Sequence, residues 1–160
     1  MKYEKIDKEL YIYNRSRFAK GLKPNSLAIF NSNDIVTTGA DSTNPFVQHR
    51  DILHLSGVDQ EESILVVFPD CFEQKNREIL FLKETSDLIA VWEGAKLNKE
   101  QAFETSGIKT VYWLDQFDTV FNALMSEAEN VYINTNEHTR ANTEAQTRED
   151  RFVKKLKKKY

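Results

Sequence analysis

Ile64-Leu65-Val66-Val67-Phe68 is five residues long, continuous, and nearly all β-branched or aromatic. A short run that is apolar on both faces reads as a central strand covered from both sides. Glu78-Ile79-Leu80-Phe81-Leu82 is a second such run, and the connection Pro69 to Asn76 is short enough for a hairpin with a loose loop. These two segments are expected to be antiparallel neighbours. Upstream, Ser26-Leu27-Ala28-Ile29-Phe30 reads as a further buried strand ended by the polar turn Asn31 to Asp34, and Ile35-Val36-Thr37-Thr38 has strand propensity. At the N-terminus Tyr3, Ile6, Leu10 and Tyr13 recur at three- and four-residue steps, which predicts a helix packed on that stripe and closed by Gly21 and Pro24.

Beyond Leu82 the pattern alternates. Leu88-Ile89-Ala90-Val91 is strand-like and runs into Trp92-Glu93-Gly94. Asn98 is the expected N-cap of a helix, with Gln101 as its capping-box partner and Gly107 past its end. Thr110 to Leu114 is a strand, and Asp115 can cap the next helix, whose apolar face is Phe117, Val120, Phe121, Leu124 and Met125. Asn130 to Ile133 is another short strand. The last segment, about Thr139 to Tyr160, places Ala141, Ala145, Phe152, Leu156 and Tyr160 on a helical repeat ending in a lysine-rich tail. Strands alternating with helices after a hairpin give an α/β fold, a mixed sheet flanked by helices on both faces. No internal repeat stands out.

A chain of 160 residues suits one domain, long enough to bury about two-thirds of its unfolded surface. Five Gly and three Pro argue against a linker-rich or disordered chain. A net charge of −3 implies no general attraction to nucleic acid. The terminal lysines follow Glu144, Glu149 and Asp150 with no interleaved aromatic platform, so they read as a solvated helix face or as a helix continuing into another domain. No run reaches the roughly 20 apolar residues that span a bilayer, and Met1 to Glu9 holds no apolar leader. The single cysteine, Cys71, favours a reducing compartment, so a cytoplasmic location is expected.

Polar and charged groups concentrate in Ala40 to Gly57, between apolar segments, where a connecting loop would be bland. His49, Asp51 and His54 are its potential metal ligands. On a strand His54 points away from the other two; on a helix the two histidines miss each other by about half a turn, so neither geometry gathers all three. Cys71 sits beside Asp70 and Glu73, whose charge disfavours a thiolate. No glycine-rich phosphate loop and no nucleophile elbow is present. Asp41 and Trp92 are the remaining candidates. Trp92 is either a core residue or an amphipathic ring presented to a partner.

Asp41-Ser42, Pro45-Phe46, Gln48, Asp51 and Leu55-Ser56-Gly57, followed by the strand Ile64 to Phe68, resemble the N-terminal domain of Xaa-Pro aminopeptidases (aminopeptidase P). So do strand Ile79 to Leu82, then Trp92-Glu93-Gly94-Ala95-Lys96-Leu97, Ser106-Gly107-Ile108 and Val111-Tyr112-Trp113-Leu114, in that order. The resemblance covers nearly the whole chain, 1–160, and implies the creatinase/prolidase N-terminal fold with its ribonuclease H-like motif. It implies a non-catalytic domain. The catalytic "pita-bread" metallopeptidase domain, with two divalent ions, usually manganese, would lie outside this chain and cleave before a penultimate proline. Expected partners are that catalytic domain, further copies in a dimer or tetramer, and the parent's peptide substrate. Asp41 and Trp92 match family positions that approach a neighbouring subunit's active site. Val47, where the family often has Arg, and Ile52-Leu53-His54, where it favours aromatics, depart from the pattern. Prolidase and creatinase share the architecture. The rival expectations are a stand-alone binding or assembly module, and a small hydrolase built on His49, Asp51 and His54.

Overall fold

The structure is a computed structural model that describes residues 6–135 and 146–160, without the side chains of Asp87, Trp92 and Glu93. Strands β1 (Ser26–Asn31), β2 (Ile64–Val67), β3 (Glu78–Leu82), β4 (Thr110–Trp113) and β5 (Asn130–Ile133) form one sheet in the order β4-β3-β2-β1-β5. β2 is central and antiparallel to both neighbours, while β4 and β5 lie parallel to β3 and β1. The fold is therefore mixed α/β, as the strand pattern requires.

The alternation of side chains along each strand sorts the core into two layers. Leu27, Ile29, Val66, Ile79 and Phe81 point to one face, where they meet Phe117, Phe121 and Leu124 of α5 (Phe117–Glu127) and Leu156 of α6 (Arg148–Lys159). Ala28, Leu65, Val67, Leu80 and Val111 point to the other, under α1 (Lys8–Ala19), α2 (Arg50–Ser56) and α4 (Lys99–Ser106). The predicted face of α5 is the one buried.

α1 packs on a different face from the predicted one. Ile6 precedes the helix, Asp7 caps it, and Ile6, Leu10 and Tyr13 stay about half exposed; Tyr3 lies outside the described residues. The buried side chains are Tyr11 and Arg15. Fit decides this over hydropathy: the Tyr11 ring covers Gly57 and the Ile12 side chain covers Gly107, each so closely that an added Cβ would approach within 2.3 and 2.6 Å. Both glycines cap helix ends in the left-handed region, at φ 70° for Gly57 and 74° for Gly107. Such positions favour residues without a side chain.

Those two helix ends are built alike. Ser56 Oγ donates to the Ile52 carbonyl at 2.7 Å and accepts from Val58 N at 3.1 Å; Ser106 Oγ donates to the Ala102 carbonyl at 2.7 Å and accepts from Ile108 N at 3.0 Å. A short local repeat, Ser-Gly-Val and Ser-Gly-Ile, thus escapes a search for longer ones.

Other segments also differ from expectation. Leu88 to Val91 is helical, part of α3 (Asp87–Glu93), because Ser86 Oγ caps it and both edges of β3 are already taken by β2 and β4. Ile35 to Thr38 joins no sheet, and Thr37 makes only a single bridge to Thr43. Asp115 sits in a 3-10 turn, Leu114–Gln116, and α5 starts without a side-chain cap. α6 begins after Thr147, whose side chain forms a capping box with Asp150; Thr139, Ala141 and Ala145 lie outside the described residues. The Asn98–Gln101 capping box of α4 is present as expected.

Candidate functional site

The strand register places the carboxyl ends of β1, β3, β4 and β5 together. Asn31 pairs with Ile64 at the start of β2, Ile64 with Phe81, Phe81 with Tyr112, and Ile29 with Ile133. The segment 32–49 leaves β1 at this end, and α3 follows β3 from the same end. Asp41 and Trp92, far apart in sequence, thus stand on loops leaving one end of the sheet, where α/β folds place their binding groups.

Asp41 is exposed near the tip of a small hairpin. Thr38 N donates to the Ser42 carbonyl at 2.8 Å and Asn44 N to the Val36 carbonyl at 2.9 Å, which holds the tip in shape. The loop is anchored at its far end by Gln48, which is buried. Its amide nitrogen donates to the carbonyls of Val58 (3.1 Å) and Gln60 (2.8 Å), and its oxygen accepts from His49 N at 2.8 Å. Gln48 is therefore structural. Buried polar side chains persist where they are bonded this fully.

Trp92 occupies the last turn of α3, which Gly94 ends at φ 81°. The chain is fastened again just beyond, where Lys96 pairs with Glu61 and Leu97 N donates to Gln60 Oε1 at 2.8 Å. The same end displays apolar side chains: Val47, Leu88 and Val91 are exposed, as are Ile35 and Val36.

The histidines do not converge. His49 caps α2, its Nδ1 accepting from Asp51 N at 3.3 Å and lying 3.9 Å from the Asp51 carboxylate. Its Nε2 faces Glu149 of α6 at 3.5 Å, and this hydrogen bond raises the imidazole pKa against the opposing effect of burial. His54 is exposed. Among the described residues no group of three or more His, Cys, Asp or Glu could hold a metal ion. Cys71 is buried, and burial with the nearby Glu127 carboxylate pushes its thiol up to about 11. It is not a nucleophile. Sequence neighbours of Cys71 suggested the right direction, but the carboxylate that matters comes from α5.

Residues 11–132 match the family model "Aminopeptidase P, N-terminal domain". The chain belongs to the aminopeptidase P N-terminal domain family. It is 26% identical over 139 residues to the Xaa-Pro aminopeptidase of Haemophilus influenzae, covering 87% of this chain and 32% of that protein. It is 23% identical over 127 residues to the Xaa-Pro aminopeptidase of Escherichia coli K12, covering 79% of this chain and 29% of that one. The chain thus spans about a third of the length of these relatives. The fold is shared with the aminopeptidase PepP of Pseudomonas aeruginosa (TM-score 0.78, 20% identity, 96% of this chain and 32% of that one). It is also shared with zinc-substituted E. coli aminopeptidase P in complex with product (TM-score 0.77, 22% identity, 98% and 33%). No helix among the described residues is long and apolar enough to cross a membrane.

Proposed function

We propose that this chain is the non-catalytic N-terminal domain of a cytoplasmic Xaa-Pro aminopeptidase, serving oligomer assembly and shaping the entrance to the active site. The observation that carries the reading is the placement of the Asp41 hairpin and the Trp92 helix at one end of a sheet, within a chain that belongs to this domain family. Chemistry is supplied elsewhere, by a catalytic domain carrying a pair of divalent ions, probable manganese by the resemblance set out above, and this chain's own residues hold no part of that set. Asp41, exposed on a braced hairpin, offers a carboxylate to a substrate's free amine or to an arginine of a neighbouring subunit. Trp92 offers an amphipathic ring to substrate side chains. Val47 is exposed where the family often places an arginine, so the wall here is less basic than in many relatives.

The test is kinetic. In the whole peptidase, Asp41→Ala and Trp92→Ala are expected to preserve the oligomer while raising KM or lowering kcat for short Xaa-Pro peptides. Unchanged kinetics in an intact oligomer would remove both residues from the entrance. The 160-residue chain alone, given manganese, is expected to release no N-terminal residue; metal-dependent release would overturn the division of labour.

A further inference from the structure

At the opposite end of the sheet the turn between β2 and β3 presents Phe72 at 89% exposure. The turn is not loose. Asp70 accepts from Asn25 N at 2.8 Å, Arg77 Nε donates to the Cys71 carbonyl at 3.2 Å, and Glu127 of α5 accepts from Phe72 N. An aromatic side chain exposed on a backbone fastened from three sides costs little ordering on binding, which is how interface anchors work. Beside it lies an open cavity of about 450 Å³ whose apolar lining includes Ala19, Val67 and Pro69 and whose cations are Lys75, Arg77 and Lys109. Glu78, also on the lining, is turned to Arg15 at 3.0 Å. A phenyl ring needs far less room; roughly 150 Å³ accommodates benzene.

The charges are complementary. The turn carrying Phe72 is surrounded by Asp70, Glu73, Glu127 and, through Asn25, Glu129. The cavity next to it has a basic rim. Knob and hole share one patch, and a patch that complements itself closes a two-fold dimer.

We propose that this end of the sheet is a self-complementary docking surface for a second copy of the chain, Phe72 of each copy entering the Val67–Pro69 cavity of the other while Glu73 meets Lys109 across the boundary. This rests on the reading of the domain as an assembly module and adds where the assembly occurs. It leaves the Asp41 and Trp92 loops, at the other end, free for substrate access.

The experiment is sedimentation of the 160-residue chain from about 1 μM to 1 mM. Phe72→Ser is expected to raise the dimer Kd roughly 30-fold or more, with an unchanged melting temperature because the ring is solvent-exposed. Glu73→Lys and Lys109→Glu should each weaken self-association, and an equimolar mixture of the two should restore it, since each contact then joins opposite charges. A dimer indifferent to Phe72→Ser and to both reversals overturns the surface and leaves the assembly reading standing. A wild-type chain monomeric at every concentration overturns both.

Discussion

Arg15 on α1 and Leu55 at the end of α2 are joined by a 2.8 Å hydrogen bond from a fully buried guanidinium to a last-turn carbonyl. The same nitrogen, Nη1, donates at 2.9 Å to the Ser106 carbonyl at the end of α4. One cation thus serves the negative ends of two helices. The second terminal nitrogen lies 3.0 Å from the Glu78 carboxylate, too poorly aligned for a hydrogen bond. Arg15→Ala removes two charge-assisted bonds and opens a large cavity. We expect a loss of about 3–5 kcal/mol in urea denaturation, since breaking such buried pairs falls in that range. A loss under about 1 kcal/mol would show that water replaces the guanidinium freely.

Gly57 and Gly107 should be nearly irreplaceable. Alanine at Gly57 must adopt positive φ and push its Cβ into the Tyr11 ring; at Gly107 it meets the more pliable Ile12 side chain. Conformational strain of order 1–3 kcal/mol applies to both, and overpacking adds about 1–3 kcal/mol where the neighbour cannot give. Gly57→Ala is therefore expected to cost more than Gly107→Ala in thermal melts. Tyr11→Ala should relieve part of the Gly57→Ala defect in a double-mutant cycle.

Strands were legible in the residues because Ile64 to Phe68 and Glu78 to Leu82 are apolar on both faces, and only a covered sheet satisfies that. The end of α4 was legible because Asn98, Gln101 and Gly107 each act locally. The face of α1 was not. Leu10 and Tyr13 are the more hydropathic choice, yet Tyr11, Ile12 and Arg15 face inward because the glycine ends of α2 and α4 create the hollows they fill. An arginine at a core position carries no hydropathy signal, and its partners, Leu55 and Ser106, are 40 and 91 residues away. The candidate site was legible as residue types; its common placement at one sheet end follows from strand order, which no local pattern encodes.

α4 offers a small, clean test. Asn98 accepts from Gln101 N at 2.8 Å while the Gln101 side chain accepts from Asn98 N at 3.0 Å. Asn98→Ala should cost about 1 kcal/mol, and Asn98→Asp or Asn98→Ser should recover most of it. Equal melting temperatures for Asn98→Ala and the wild type would mean that α4 is held by packing alone.

His49 links stability to pH. Glu149 raises its pKa in the folded chain above the ordinary value near 6.5, with Asp51 adding to the effect and burial opposing it. A raised folded-state pKa means that the native state binds the proton more tightly than the unfolded chain. That contribution is complete below about pH 6.5 and disappears as pH rises through the folded-state value. The stability difference between the wild type and His49→Gln should therefore shrink between about pH 6 and pH 8, read from urea midpoints. A difference that grows with pH would show that the neutral imidazole, capping α2 through Nδ1, is the more valuable form.

Cys71 should be slow to react for two reasons that can be separated. It is buried against the α5 layer, and its thiol, pushed up to about 11, is almost entirely protonated at pH 8. Thiolate is the reactive form, so labelling by a disulfide reagent at that pH should be slower than in urea by orders of magnitude. Glu127→Gln removes the neighbouring charge and leaves the burial. It should speed native labelling only modestly, because burial is the larger cause of the shift. A labelling rate in Glu127→Gln equal to that of the unfolded chain would mean that the carboxylate, through its contacts to Cys71 Sγ at 3.6 Å and to Phe72 N, is what keeps the turn closed over the thiol.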